Sequence, residues 1–188
     1  MARIRACRVC ARHLPHGCRP VLQTHFGARL LIVSQAPGRK VHETGIPFND
    51  RSGDRLRDWL GIGKDVFYDP QRIAIVPVGF CYPGKGRSGD LPPRPECAPL
   101  WYPQLLPRLQ NVELTLAIGN YAIRAMLGSR RKASLTATCM AWREYVEAGM
   151  LPVPHPSPRN IAWFQRHPWF EAEVLPALRQ RMHRLLHA

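Results

Sequence analysis

A chain of 188 residues with 45% apolar and 21% charged residues can bury one core and is too apolar to be disordered. Its 27 Lys and Arg against 13 Asp and Glu leave a formal charge of +14, the footprint of a polyanionic partner, nucleic acid first. No apolar run is long enough to span a bilayer, and the N-terminus "MARIRACRVCARH" lacks the apolar stretch of a secretory signal, so a soluble, cytoplasmic, nucleoid-associated monomer is expected.

In chain order, the first strand signal is "RLLIVS" (29–34), closed by the loop "SQAPG" (34–38). A helix follows in "SGDRLRDWLGI", where Ser52 is a plausible N-cap and Leu56, Trp59 and Leu60 recur at i, i+3, i+4. The second strand is "RIAIVPV" (72–78). After it, "YPGKGRSGDLPPRPE" (82–96) is too long for an ordinary connection, which marks it as functional or flexible. Helical signals return in "APLWYPQLLPRLQ" (98–110). The third strand is "ELTLAIG" (113–119), followed by the helix "NYAIRAMLG" (120–128), with Gly128 in a C′ role. A further helix, "TATCMAWREYVEAG" (136–149), precedes a weaker fourth strand, "GMLPVPH" (149–155). The longest helix signal is "PWFEAEVLPALRQRMHRLLH" (168–187). Strands alternating with helices predict an α/β fold: a three-layer α/β/α arrangement around a central, roughly four-stranded parallel sheet, as a single domain over 1–188.

In such folds the ligand crevice lies beyond the carboxyl ends of the strands. Two unusual loops occupy that position: "SQAPG" after the first strand and "HPSPRN" (155–160) after the last. Pro156 and Pro158 fix their own φ and push the preceding residue out of the α region, so His155 and Ser157 are held extended. The loop is built to aim side chains.

With "SQAPG", "TGIPF" (44–48) and "HPSPRN" in this order, the chain resembles the uracil-DNA glycosylase superfamily. "TGIPFNDRSGDRLRDWLGI" and "HPSPRN" are particularly similar to its single-strand-selective monofunctional branch. The resemblance runs from about residue 7 to 180. It implies hydrolysis of the N-glycosidic bond of uracil, or a related deaminated base, in base-excision repair. The target nucleotide must then be extruded from the DNA stack. It implies His155 as a donor to the departing base, with Gln35 and Ala36 supplying backbone N–H groups and Phe48 stacking on the base. It implies that Ser157, Arg159 and Asn160 contact DNA, while Ser52, at the start of a helix, is a candidate for a DNA phosphate.

Several positions depart from the family pattern. Ala36 stands where many members carry Asp or Asn, and it has no polar atom to hold water. Asp50 resembles an acidic residue just past the P-F element in a branch that also carries Ala there, and this implies Asp50 as the catalytic group, with Asn49 as the rival; Asp50 is also suited simply to cap its helix. "VPVGFC" lacks the Asn that reads the uracil edge, leaving Asn120 as a substitute reader or a helix cap. Gly38 replaces a tyrosine that excludes thymine. A catalytically inactive DNA-binding relative is the alternative reading.

Of the six cysteines, Cys7-x2-Cys10 with Cys81-x15-Cys97 resembles the four-cysteine set of the superfamily's iron–sulfur branch, which implies a [4Fe–4S] cluster. Four cysteines also suit structural zinc, or no metal at all. Cys18 and Cys139 read as spare or buried thiols.

Overall fold

The computed structural model describes residues 1–187. Four strands, β1 (Leu30–Val33), β2 (Ile73–Ile75), β3 (Leu114–Ile118) and β4 (Met150–Val153), form one sheet in the order β2-β1-β3-β4. All pairings are parallel: Leu30 lies opposite both Ile73 and Leu114, and Thr115 opposite Met150. Every strand residue is buried, as a parallel sheet covered on both faces requires.

The connecting helices are α1 (Ala2–Arg5), α2 (Arg39–Thr44), α3 (Arg51–Leu60), α4 (Lys64–Phe67), α5 (Cys97–Leu105), α6 (Gly119–Leu127), α7 (Leu135–Met140), α8 (Trp142–Val146), α9 (Ile161–Arg166) and α10 (Leu175–His187). Side chains alternate across each strand and so feed two cores. Leu30, Ile32, Leu114 and Leu116 meet α3, α9 and α10 on one face, through Leu56, Trp59, Phe164 and Leu178 among others. Leu31, Val33 and Ala117 meet α5 and α6 on the other, through Trp101, Leu105 and Ile123. The expected three layers are therefore present.

Packing outweighs capping in placing α3, the helix that will matter most. Leu56, Trp59 and Leu60 are all buried. Each such side chain contributes about 1.5–3 kcal/mol, against roughly 1 kcal/mol for a cap. The cap itself differs from expectation. Asp50, not Ser52, is the N-cap, and its Oδ1 accepts from the Gly53 N–H at 2.9 Å. Ser52 sits inside the first turn. Both residue types cap well, and only the extended backbone at Asp50 (φ −150°) decides between them.

Two further expectations shift. The segment 136–149 breaks at Ala141 into α7 and α8. The break lets the chain pass the β4 edge, with Trp142 in one core and Tyr145 in the other. In 168–187, a π-helical turn (Phe170–Val174) precedes α10. Pro176 has no N–H for the turn before it, and that turn takes the wider pitch. Among the described residues no helix is long and apolar enough to cross a membrane.

Candidate active site

A cavity of about 420 Å³ opens beyond the carboxyl ends of the strands. Four segments wall it: 34–38 after β1, 47–52 leading into α3, 88–90 from the long insertion, and 155–160 after β4. The sheet order explains the meeting. The chain leaves β1 toward β2 on one side and returns to β3 on the other, and a crevice forms where the order reverses. Gln35, Ala36, Phe48, Asp50, Ser52, His155, Ser157, Arg159 and Asn160 all line this cavity. Asn49 and Asn120 do not line it. Asn120 lies exposed in the first turn of α6, whose N-cap is Ile118, so it does not cap that helix either.

The His155 loop is held from inside. The Ser157 N–H donates to His155 Nδ1 at 3.2 Å. A ring nitrogen that accepts carries no proton, so the neutral imidazole keeps its proton on Nε2. Asn160 Nδ2 donates to the His155 carbonyl at 2.8 Å, and Ser157 Oγ accepts from the Arg159 N–H at 3.3 Å. Behind the ring, Gly119 adopts φ +77°, and a side-chain carbon there would stand 3.4 Å from His155 Cβ. Glycine allows both that conformation and that approach.

Crowding by the cavity walls holds His155 below the usual imidazole pKa of 6.5, and the opposing charge of Asp50 does not reverse this. The ring is therefore neutral at neutral pH. Stability follows with a definite sign. Between 6.5 and the lower folded value, the unfolded chain binds a proton that the folded chain refuses. This contribution is constant above pH 6.5 and becomes unfavourable as pH falls below it. Urea unfolding at neutral and mildly acidic pH should show the wild type losing more stability on acidification than His155→Asn. Equal losses would show that His155 is not held neutral.

Phe48 and Asp50 form a strained corner. Phe48 is the one described non-glycine residue with positive φ, at 54°, a conformation that costs of order 1–3 kcal/mol. The surroundings hold it there. The Phe48 ring is buried edge-on against Phe67, with centroids 6.2 Å apart. Its carbonyl accepts from Arg57 Nη1 at 3.4 Å and from Tyr68 Oη at 3.5 Å. Arg57 is itself buried and pairs with Asp54 at 2.5 Å. Phe48 is thus a core aromatic with a margin on the cavity. Asp50 likewise caps α3 with Oδ1 and lines the cavity.

The long insertion supplies residues the motifs did not single out: Ser88, Gly89 and Asp90 line the cavity. The segment folds back on itself, with Gly86 N–H donating to the Gly89 carbonyl at 2.6 Å and Leu91 N–H to Gly84 at 2.8 Å. Arg159 Nη1 donates to the Ser88 carbonyl at 3.5 Å, joining the insertion to the His155 loop. The only sequence signal for Asp90 is an acid directly after the basic stretch "GKGRSG".

A second, narrow cavity gathers Cys7, Cys10, Cys81 and Cys97. Cys18, read from sequence as a spare thiol, lines it too, whereas Cys139 is buried in a core. Phe80 N–H donates to Cys97 Sγ at 3.3 Å. Burial pushes the Cys81 thiol up to about 12 and the Cys97 thiol up to about 11, so both are protonated unless a metal displaces the proton. Among the described residues no three His, Cys, Asp or Glu side chains gather tightly enough to hold a single metal ion. In a four-iron cluster each cysteine binds a different iron, so its ligands need not converge on one point.

The four-stranded parallel fold agrees with a comparison to known protein families. The family model for the Uracil DNA glycosylase superfamily matches residues 23–179, from just before β1 into α10. That span contains the four loop segments 34–38, 47–52, 88–90 and 155–160, and the chain belongs to the Uracil DNA glycosylase superfamily.

Proposed function

We propose that this protein is a monofunctional DNA glycosylase that hydrolyses the N-glycosidic bond of uracil or a related deaminated base, in the manner of the single-strand-selective branch it resembles. The observation that carries the reading is His155, neutral, with its proton on Nε2, lining the same cavity as Asp50. As the bond between C1′ and the base nitrogen breaks, its electron pair leaves with the base and negative charge spreads to the base oxygens. A fixed donor in a partly desolvated site stabilises that charge as it grows. His155 Nε2–H is that donor, with backbone N–H groups at Gln35 and Ala36. Water adds to C1′, and Asp50 orients it and accepts its proton. Ala36 has no atom for this task. The products are a free base and an abasic sugar in an unbroken strand.

Arg159, Ser157, Asn160 and Ser52 line the cavity and are the groups proposed to contact DNA. The net charge of +14 acts through phosphates. The protein is proposed to act as a monomer. The reading is tested by incubating duplex and single-stranded oligonucleotides that carry uracil, hypoxanthine or xanthine, and measuring the base released. A DNA-binding relative without catalysis, the reading that Ala36 and the missing edge-reading Asn in "VPVGFC" favour, would bind all of them and release nothing.

Cys7, Cys10, Cys81 and Cys97 are proposed to hold a [4Fe–4S] cluster. It would supply a covalent tie between the N-terminal segment and the segment from Cys81 to Cys97, which carries Asp90. Protein purified without oxygen should be brown, with about four irons per chain. Colourless protein with one zinc per chain would replace this assignment with a zinc site.

A further inference from the structure

We infer that Asp90 reads the far edge of the extruded base and selects bases that present a ring N–H there; this rests on the glycosylase reading of the cavity. The segment that follows β2 offers no side-chain amide to do this, since Pro77 is what lines the cavity there. Asp90 fills the gap from the insertion. Its Oδ2 lies 3.5 Å from where a side-chain carbon on Gly38 would stand, and its Oδ1 accepts from Tyr82 Oη at 3.4 Å. Tyr82 is buried, with the His16 ring stacked on it at 5.2 Å and His42 at 5.9 Å. Tyr82 is therefore a fixed anchor for the carboxylate of Asp90, which is itself exposed to the solvent that fills the cavity. Gly38 matters because any side chain would take the space in front of it.

The two cavity acids divide the work. Asp50 is the acid whose charge bears on His155, where the bond breaks. Asp90 stands at the Gly38 wall instead. An ionised carboxylate only accepts hydrogen bonds. It matches N3–H of uracil or N1–H of hypoxanthine and xanthine. It meets a lone pair at N3 of cytosine and N1 of adenine. Deamination creates that N–H in cytosine and adenine, so one acceptor serves several deaminated bases. Gln35 also lines the cavity, but an amide both donates and accepts and discriminates less.

The test is binding to oligonucleotides whose 2′-fluorine keeps the base from leaving. One carries uracil, one N3-methyluracil and one a tetrahydrofuran abasic analogue. Wild-type protein should bind the uracil strand about tenfold or more tighter than the N3-methyl strand, since methylation removes the donor and leaves the carboxylate unpaired. Asp90→Ala should collapse that ratio toward one and leave affinity for the abasic strand unchanged. Asp90→Asn, whose carbonyl still accepts, should keep part of the ratio. An unchanged ratio in Asp90→Ala would overturn the inference, and so would an equal loss on the abasic strand. Release is not required in this assay. A protein that discriminates here but never releases uracil would sink the glycosylase reading and leave Asp90 as the base reader.

Discussion

His155→Ala slows single-turnover release of uracil by about 10²–10³, the usual cost of removing one preorganised donor to a developing anion. Its affinity for DNA with an abasic analogue changes little. The difference follows from where the donor acts. Nε2–H strengthens its bond to the base only as charge arrives there, so the loss appears in the rate and not in ground-state binding. The Ser157 N–H, which now donates to Nδ1, complicates the alanine variant because its loop could loosen. His155→Asn is the control. Its side-chain oxygen can accept from Ser157 in place of Nδ1, while its amide stops short of the Nε2 position. Both variants should be slow. A fast asparagine variant would show that His155 serves only to shape its loop.

Gly53→Ala should be the most destabilising single-methyl change in the molecule. A side-chain carbon at Gly53 would overlap the Phe48 carbonyl oxygen, and it would stand 2.6 Å from that carbonyl's carbon and 2.8 Å from Phe48 Cβ. The obstacle is mainly backbone, which cannot rotate aside as a side-chain tip can. Phe48 has little room to give, because its φ is already +54° and its ring is fixed against Phe67. Separating α3 from this turn would cost the Asp50 cap and the bonds from Arg57 and Tyr68 to the Phe48 carbonyl. Ordinary overpacking costs about 1–3 kcal/mol. This change should exceed it, at about 4 kcal/mol, and lower Tm by roughly 8–16 °C for a chain of this size. Asp50→Ala removes only the cap, at about 1 kcal/mol. Thermal unfolding of the two variants side by side checks the order. A Gly53→Ala protein as stable as the wild type would mean that Phe48 and α3 are not in contact as described.

Gly53 also shows where sequence reading stops. In "DRSGDRL" it looks like a weak residue in a helix start, and nothing local explains it. The reason is a carbonyl five residues earlier, brought under the helix by the left-handed turn at Phe48. The strands were legible for the opposite reason. A parallel strand buried on both faces is a nearly continuous apolar run, so "LLIV" and "LTLAI", with Thr115 its one polar residue, declare themselves without any partner in view. "HPSPRN" was legible because its prolines act on the residues beside them. Asp90 and Cys18 were not, since each gains meaning from tertiary neighbours: Gly38 for the first, and four other cysteines for the second. The Ser52-for-Asp50 exchange at the α3 cap lies between these cases, with two competent residues and a choice made by the chain's path.

The measurement closest to the central claim is the mass of a uracil-containing oligonucleotide after a single turnover with excess protein. The cavity, His155 and Asp50 predict loss of one base mass and gain of one hydroxyl. Free uracil should appear in equal amount, and the strand should stay intact until alkali is added. An oligonucleotide of unchanged mass, at a protein concentration where it is fully bound, would contradict the account.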